Sequence, residues 1–550
     1  MRLIYQNPYS VQLPFTHSVA CSLIYVFNVV FAIVCAVSEN KDTLRPTSIV
    51  QTRYGAIHGF TDFATDSEEV DVFFGIPFAQ PPVDELRFEK PVAPHKWKGI
   101  LYNRKPKSAC IPVARPDDWN EEKYSEDCLY LNIFTPHQKP TDGSLLPVLF
   151  IIHGGGYVVG SAKQYSDYQE IGRKYVLQGI VVVTIQYRLS VTGFASGGDL
   201  TFPGNYGLWD QLAALKFVRE NIKEFGGDPK RVTLFGFSAG GSSVSSLGLS
   251  PHSRDYFKQA VQMSGSVFSA KSANERVVNE TKILGINLGC EDLDDSVELK
   301  ACLKSKTVQE IFDAVEKMGP ARTDDINFLK FGPRMDGVFF PRDFPELISE
   351  SPPKPTVMGF TPMESLCFTL LPNRNSSMAA YAIPWKEFNE YGEDNFQRFV
   401  RMIASEAHFG AKDAIKVQSE IMAYYLGGGG SQLSRNSTFY LKQYTQLLTD
   451  IQYIVPIIWE SRIKAAFKWP VFLYLNTYFN EKNPSTREIL WPQATPEIPM
   501  RYLFIKENRP EVHDMLMFDK LKFWLTLVEK YTRYNIIRGS FHLEPPHDEL

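Results

Sequence analysis

Residues 231–243 read RVTLFGFSAGGSS, an apolar run that ends in a serine between glycines, Gly236-Phe237-Ser238-Ala239-Gly240. Glycines at such a place permit a sharp turn, and a serine lifted out of that turn is exposed for nucleophilic attack. A hydroxyl attacks slowly unless a base takes its proton, in most sites a histidine oriented by a carboxylate. Upstream, His153-Gly154-Gly155-Gly156-Tyr157 closes another apolar run. Residues without side chains let consecutive N–H groups converge on one spot, where they stabilise the oxyanion formed when a carbonyl is attacked. Either motif alone is an ordinary glycine-rich turn. Together, each at the end of an apolar run, they point to acyl transfer through a serine.

Four short runs rich in β-branched residues are expected to carry these turns: Pro147 to His153, Ile180 to Tyr187, Arg231 to Phe235 and Pro470 to Leu475. They are continuously apolar rather than alternating, the pattern of parallel strands covered on both faces. Between the second and third, Leu208, Leu212, Leu215, Val218, Ile222 and Phe225 recur at helical spacing and stop at Gly226-Gly227. Strand, helix, strand is a βαβ unit, so the fold class is α/β. No Pro/Ser-rich linker or charge block divides residues 39–540, which read as a single domain.

Longer stretches carry a resemblance. EDCLYLNIFTP (Glu126 to Pro136), FGIPFAQPPVDELRF (Phe74 to Phe88), YRLSVTGFAS (Tyr187 to Ser196) and PGNYGLWDQLAALKFVRENIKEFGGDP (Pro203 to Pro229) resemble signatures of the type-B carboxylesterase and cholinesterase family. The likeness runs from about Val50 to Asn535 and weakens after Pro320. It implies an α/β-hydrolase fold, a large and mostly parallel central sheet with helices on both faces. It also implies carboxylic-ester hydrolysis through an acyl-enzyme, with Ser238 as nucleophile and the N–H groups of Gly155, Gly156 and Ala239 as oxyanion hole. Glu364, in Gly359-Phe-Thr-Pro-Met-Glu364-Ser365, stands where the family keeps its acid, although Thr361 and Ser365 depart from the pattern. Phe237 stands where many relatives carry Glu; without that anion, neutral esters fit better than cationic ones.

The base does not follow. Tyr502-Leu503-Phe504 matches the end of the family's histidine segment, and counting back eight places Pro496 at the histidine. None of the ten histidines has a matching place; His513, nine residues past Phe504, is the first alternative. Turnover is therefore expected to be weak or absent, with a non-catalytic lumenal binding protein on the same fold as the alternative.

Composition bounds the rest. With 550 residues, 44% hydrophobic and 22% charged, the chain can bury a large core. A net charge of −4 gives no reason to expect nucleic acid. No cofactor and no metal are expected: Gly427 to Gly430 lacks a following Lys-Ser/Thr, and no cysteine pair has zinc spacing. Val19 to Val37 is apolar and precedes small residues, so 1–38 reads as a signal peptide, or as an uncleaved membrane anchor. The tail, 541–550, ends in His547-Asp548-Glu549-Leu550, a retention signal read by a receptor in the endoplasmic reticulum. In that oxidising lumen Cys110 with Cys128 and Cys290 with Cys302 would close, pairs that fall where the family places two disulfides, while Cys367 is left over. Asn279, Asn375 and Asn436 begin glycosylation sequons. A small ester is the expected partner.

Overall fold

Among the described residues twelve strands form one sheet: β1 (Arg45–Pro46), β2 (Phe60–Phe63), β3 (Glu69–Pro77), β4 (Tyr130–Pro136), β5 (Leu146–Ile152), β6 (Val181–Ile185), β7 (Gly227–Phe237), β8 (Gln259–Met263), β9 (Thr356–Phe360), β10 (Val471–Asn476), β11 (Tyr502–Ile505) and β12 (Glu511–His513). Their spatial order is β1-β2-β3-β4-β6-β5-β7-β8-β9-β10-β11-β12. From β6 to β11 every neighbouring pair is parallel, and antiparallel strands close both edges. The computed structural model describes residues 44–113, 123–165, 167–319, 321–322, 325–370, 381–427, 435–477, 493–505 and 511–541. The apolar N-terminal segment, Asn375 and the C-terminal tetrapeptide lie outside them. The described residues belong to one compact unit, Leu44–Tyr478 with Pro484–Leu550. Among them no helix is long and apolar enough to cross a membrane.

The unbroken apolar strands are explained by two cores. In β5, Val148, Phe150 and Ile152 face the larger core while Leu149 and Ile151 face the smaller one. In β6, Val181, Val183 and Ile185 face the first and Val182 the second. Side chains alternate across a strand, so covering both faces requires apolar residues at every position. Each such side chain contributes about 1.5–3 kcal/mol by burial. Helix α1 (Tyr206–Asn221) realises the predicted stripe, with Leu208, Leu212, Leu215 and Val218 buried. A short 3₁₀ turn, Ile222–Phe225, follows and ends on Gly226 at φ 85°, a left-handed conformation that glycine adopts without strain. Strand β7 is longer than expected at its N-terminal end, because a register shift between Gly227 and Val232 keeps it paired with β5.

Both cysteine pairs are bridged, Cys110 to Cys128 with Cα atoms 5.0 Å apart and Cys290 to Cys302 at 5.9 Å. Cys367 is free and half-buried. Asn279 and Asn436 are exposed. Asn436 also caps helix α3, Ser437–Thr449, its side chain accepting from the Phe439 N–H.

Candidate active site

The site forms at the C-terminal ends of β5, β7, β8 and β9, where open α/β sheets place their ligands. Ser238 separates β7 from helix α2, Ala239–Leu249, and holds φ 56°, ψ −121°. That backbone is strained for a residue with a Cβ and persists only where the surroundings fix it. They do so on both sides. The Ser238 N–H donates to the Met263 carbonyl at 2.8 Å, and the Ser238 carbonyl accepts from the Ser242 N–H at 3.0 Å. The flanking glycines are steric necessities: a Cβ on Gly236 would lie 2.1 Å from the Gly240 carbonyl oxygen, and one on Gly240 2.2 Å from that of Ile152.

The glycine triplet reaches the serine from β5. A Cβ on Gly154 would lie 2.6 Å from the Phe237 carbonyl oxygen and 3.3 Å from the Ser238 Cβ, so the two turns are in contact. Gly155 and Gly156 follow with φ 111° and 62°. The Gly155 carbonyl is occupied by the Val158 and Val159 N–H groups at 3.1 and 3.0 Å. Ala239 opens helix α2, where the first N–H groups have no partner within the helix. Three peptides thus start from positions adjoining the serine.

Glu364 comes from the turn after β9, two strands from β7. Its Oε1 accepts from the Thr361 N–H at 2.6 Å and from the Ser264 hydroxyl at 2.7 Å. Ser264 follows Met263 directly and its own N–H donates to the Gly359 carbonyl at 2.9 Å, so one dipeptide is bonded to both the serine and the acid strand. Burial pushes the Glu364 carboxyl above its ordinary value, opposed by those hydrogen bonds and by the Lys271 amine.

Sequence reasoning passed over two residues here. Lys271 lies in the segment after β8, is 4% exposed, and its Nζ makes no hydrogen bond among the described residues. Its nitrogen rests 3.7 Å from the centroid of the Tyr453 ring. Burial pulls the amine down to about 7, against the opposing effects of Glu364 and Cys367. Tyr453 belongs to a π-helical turn, Asp450–Ile454, a rare form concentrated at functional sites. Burial raises its phenol well above the usual range, with Cys367 and Glu364 adding to the rise and the Ser238 hydroxyl opposing it. One signal was legible: Lys271 is the single charged residue from Ser264 to Asn274.

No hydrogen bond joins an imidazole to Ser238 among the described residues. The His153 Nδ1 donates to the Gly154 carbonyl at 2.8 Å, its ring stacks on Tyr187, and burial drives its pKa down to about 4. His252 donates to the Val338 carbonyl. The ring of His408 lies flat on Tyr534 at 4.1 Å. His513 sits on β12, paired with Tyr502, five strand positions from β7 and hence roughly 24 Å away. Pro496 is exposed in a bend between Thr495 and Ile498. No group of three His, Cys, Asp or Glu side chains among the described residues could hold a metal ion.

The model of the carboxylesterase family matches residues 46–519. Gut esterase 1 of Caenorhabditis elegans is 38% identical over 451 residues, 82% of this chain and 76% of its own. The acylcarnitine hydrolase of Mus musculus is 39% identical over 336 residues, 58% of this chain and 57% of its own. Neuroligin-2 of Mus musculus is 30% identical over 497 residues, 83% of this chain and 56% of its own.

Proposed function

The chain belongs to the carboxylesterase family, and on that premise we propose that it hydrolyses small neutral carboxylic esters through an acyl-enzyme on Ser238. In this reading the Ser238 oxygen attacks the ester carbonyl. The Gly155, Gly156 and Ala239 N–H groups hold the oxyanion, and Glu364 is the acid of the site. The observation that carries it is the contact between the Ser238 turn and the glycine turn at Gly154, which brings nucleophile and hole together. Phe237, beside the nucleophile and 46% exposed, offers an apolar surface where an acid would favour cations. Pro496 occupies the place of the family's histidine by sequence count, so the imidazole relay is missing and turnover is low. The entry segment, the sequons and the His-Asp-Glu-Leu tail support a protein retained in the lumen of the endoplasmic reticulum by its receptor.

One observation favours a second reading, a binding protein without turnover: no imidazole bonds to Ser238 among the described residues. Hydrolysis of p-nitrophenyl butyrate by the purified chain and by Ser238→Ala separates the two. Turnover above buffer that Ser238→Ala abolishes supports the hydrolase. Equal rates for the two proteins support the binding protein.

A further inference from the structure

Residues 95–107 read HKWKGILYNRKPK, five lysines and arginines without an acid in a chain whose net charge is −4. At their centre Ile100–Tyr102 forms the edge of a second sheet, parallel to Ala56–His58, which in turn pairs antiparallel with Val50–Gln51. Side chains alternate across such strands. Ile57 and Leu101 point inwards and pack on the larger core. Ile100 and Tyr102, in register with Ala56 and His58, point the other way and are 52% and 39% exposed. The His58 ring lies 5.2 Å from the Tyr102 ring, and the Arg104 guanidinium stands over it at 5.5 Å and donates to its hydroxyl at 2.7 Å. Lys96, Lys98, Arg104 and Lys107 are exposed, and none of the four has a carboxylate partner among the described residues. Exposed cations elsewhere do find acids, Arg53 with Glu220 and Arg231 with Asp228.

Like charges gathered on one face repel each other and attract an anion. An aliphatic side chain standing out of the sheet among them adds surface that gains by leaving water. We propose that this face docks the protein on an anionic lipid surface, with Lys96, Lys98, Arg104 and Lys107 against the headgroups and Ile100 dipping between them. Each cation held near such a surface strengthens binding by about fivefold, so four together suffice where one does not. A nucleic acid would look for bare aromatic rings on which to stack its bases, and the ring of Tyr102 is already covered. An added polypeptide strand would need a long open edge, and this one is three residues, preceded by Gly99 at φ 78°. Lipid headgroups need no register, only charge and an apolar tip. None of these residues belongs to the Ser238 site, so docking decides where the protein sits rather than what it does to an ester.

The test is co-sedimentation of the purified full chain with vesicles of phosphatidylcholine, alone or mixed with phosphatidylserine. The chain should partition about tenfold better or more onto the mixed vesicles and lose that gain at high salt. Lys96→Gln, Lys98→Gln and Arg104→Gln combined should weaken binding to the mixed vesicles by about 100-fold. Ile100→Ser alone should weaken it by about fivefold. Both variants change exposed side chains and should unfold in urea near the parent's midpoint. Equal partition onto the two kinds of vesicle would assign the binding to the apolar N-terminal segment and overturn the proposal, as would a triple variant that binds like the parent. Polyglutamate or single-stranded DNA holding the chain while the mixed vesicles do not would give the face to another polyanion and overturn it too. Should the triple variant fail to fold, the lipid and salt series on the unaltered chain still decides.

Discussion

Ala494 forms an antiparallel bridge with Val471, the first residue of β10, which sets the stretch leading to Pro496 at the entry end of that strand. Ser238 follows the last residue of β7, and β7 to β10 run parallel. The proline and the serine therefore belong to opposite ends of the sheet, roughly 15–20 Å apart along the strands. An imidazole needs hydrogen-bond contact with both partners. Pro496→His is accordingly expected to leave p-nitrophenyl butyrate turnover and fluorophosphonate labelling within twofold of the unaltered chain. A gain of tenfold or more in either would place the loop beside Ser238 and restore the imidazole relay.

Stability should depend on pH with a sign set by two buried bases. Lys271 is held at about 7, far below the usual 10.5 of lysine. Between those values the unfolded chain binds the extra proton, so stability rises with pH. The contribution is fully present above the ordinary lysine value and is lost as pH falls through about 7. His153, held at about 4 against an ordinary 6.5, acts the same way lower down and loses its contribution as pH falls from 6.5 to 4. Glu364 is raised and runs the other way, its contribution being lost as pH rises through its folded value. A pKa that differs by one between the folded and unfolded chain corresponds to about 1.4 kcal/mol. Urea midpoints from pH 4 to 10 should show Lys271→Met more stable than the parent at pH 7, with a flatter slope from pH 7 to 10. An unchanged slope would mean that the folded chain keeps this amine charged.

Much of the sheet was legible because burial on both faces leaves a signature that needs no tertiary knowledge: β5, β6 and β10 are apolar at successive positions and came within a residue or two of their bounds. The turns at Ser238 and Gly154 were legible because close backbone approach admits only glycine. Lys271 and Tyr453 were not. Their meaning lies in a contact between residues 182 positions apart (453 − 271), and a lone lysine in a sequence reads as surface charge. The spatial place of Pro496 was not legible for a related reason. Counting along a motif assumes the loop returns to the same end of the sheet, and only the bridge from Ala494 to Val471 reveals where this one goes.

The compartment can be read from chemistry at exposed and bridged positions. Asn279 and Asn436 are exposed and should carry endoglycosidase-H-sensitive glycans, with Cys110–Cys128 and Cys290–Cys302 recovered as linked peptides from a non-reduced digest. Deleting His547 to Leu550 should release the chain to the medium. Both cysteine pairs alkylated without reductant would argue against the lumen, and retention after the deletion would favour a membrane anchor.

Phe237 offers the last prediction, on substrate charge. Its side chain is 46% exposed beside Ser238, and a Cβ on Gly154 would lie 2.6 Å from its carbonyl oxygen, so its backbone is fixed between nucleophile and hole. What projects there from an otherwise unchanged turn is set by the side chain alone. A carboxylate attracts a quaternary ammonium through poorly hydrated space and must itself be desolvated when a neutral ester binds. Phe237→Glu should therefore raise the ratio of kcat/KM for butyrylthiocholine to that for p-nitrophenyl butyrate by about tenfold, a change of about 1.4 kcal/mol in relative transition-state binding. Salt should diminish the gain, since a half-exposed charge is screened. A ratio that does not move at low ionic strength would mean that the alcohol part of the ester lies away from Phe237, and that the apolar residue before the serine does not select for neutral substrates.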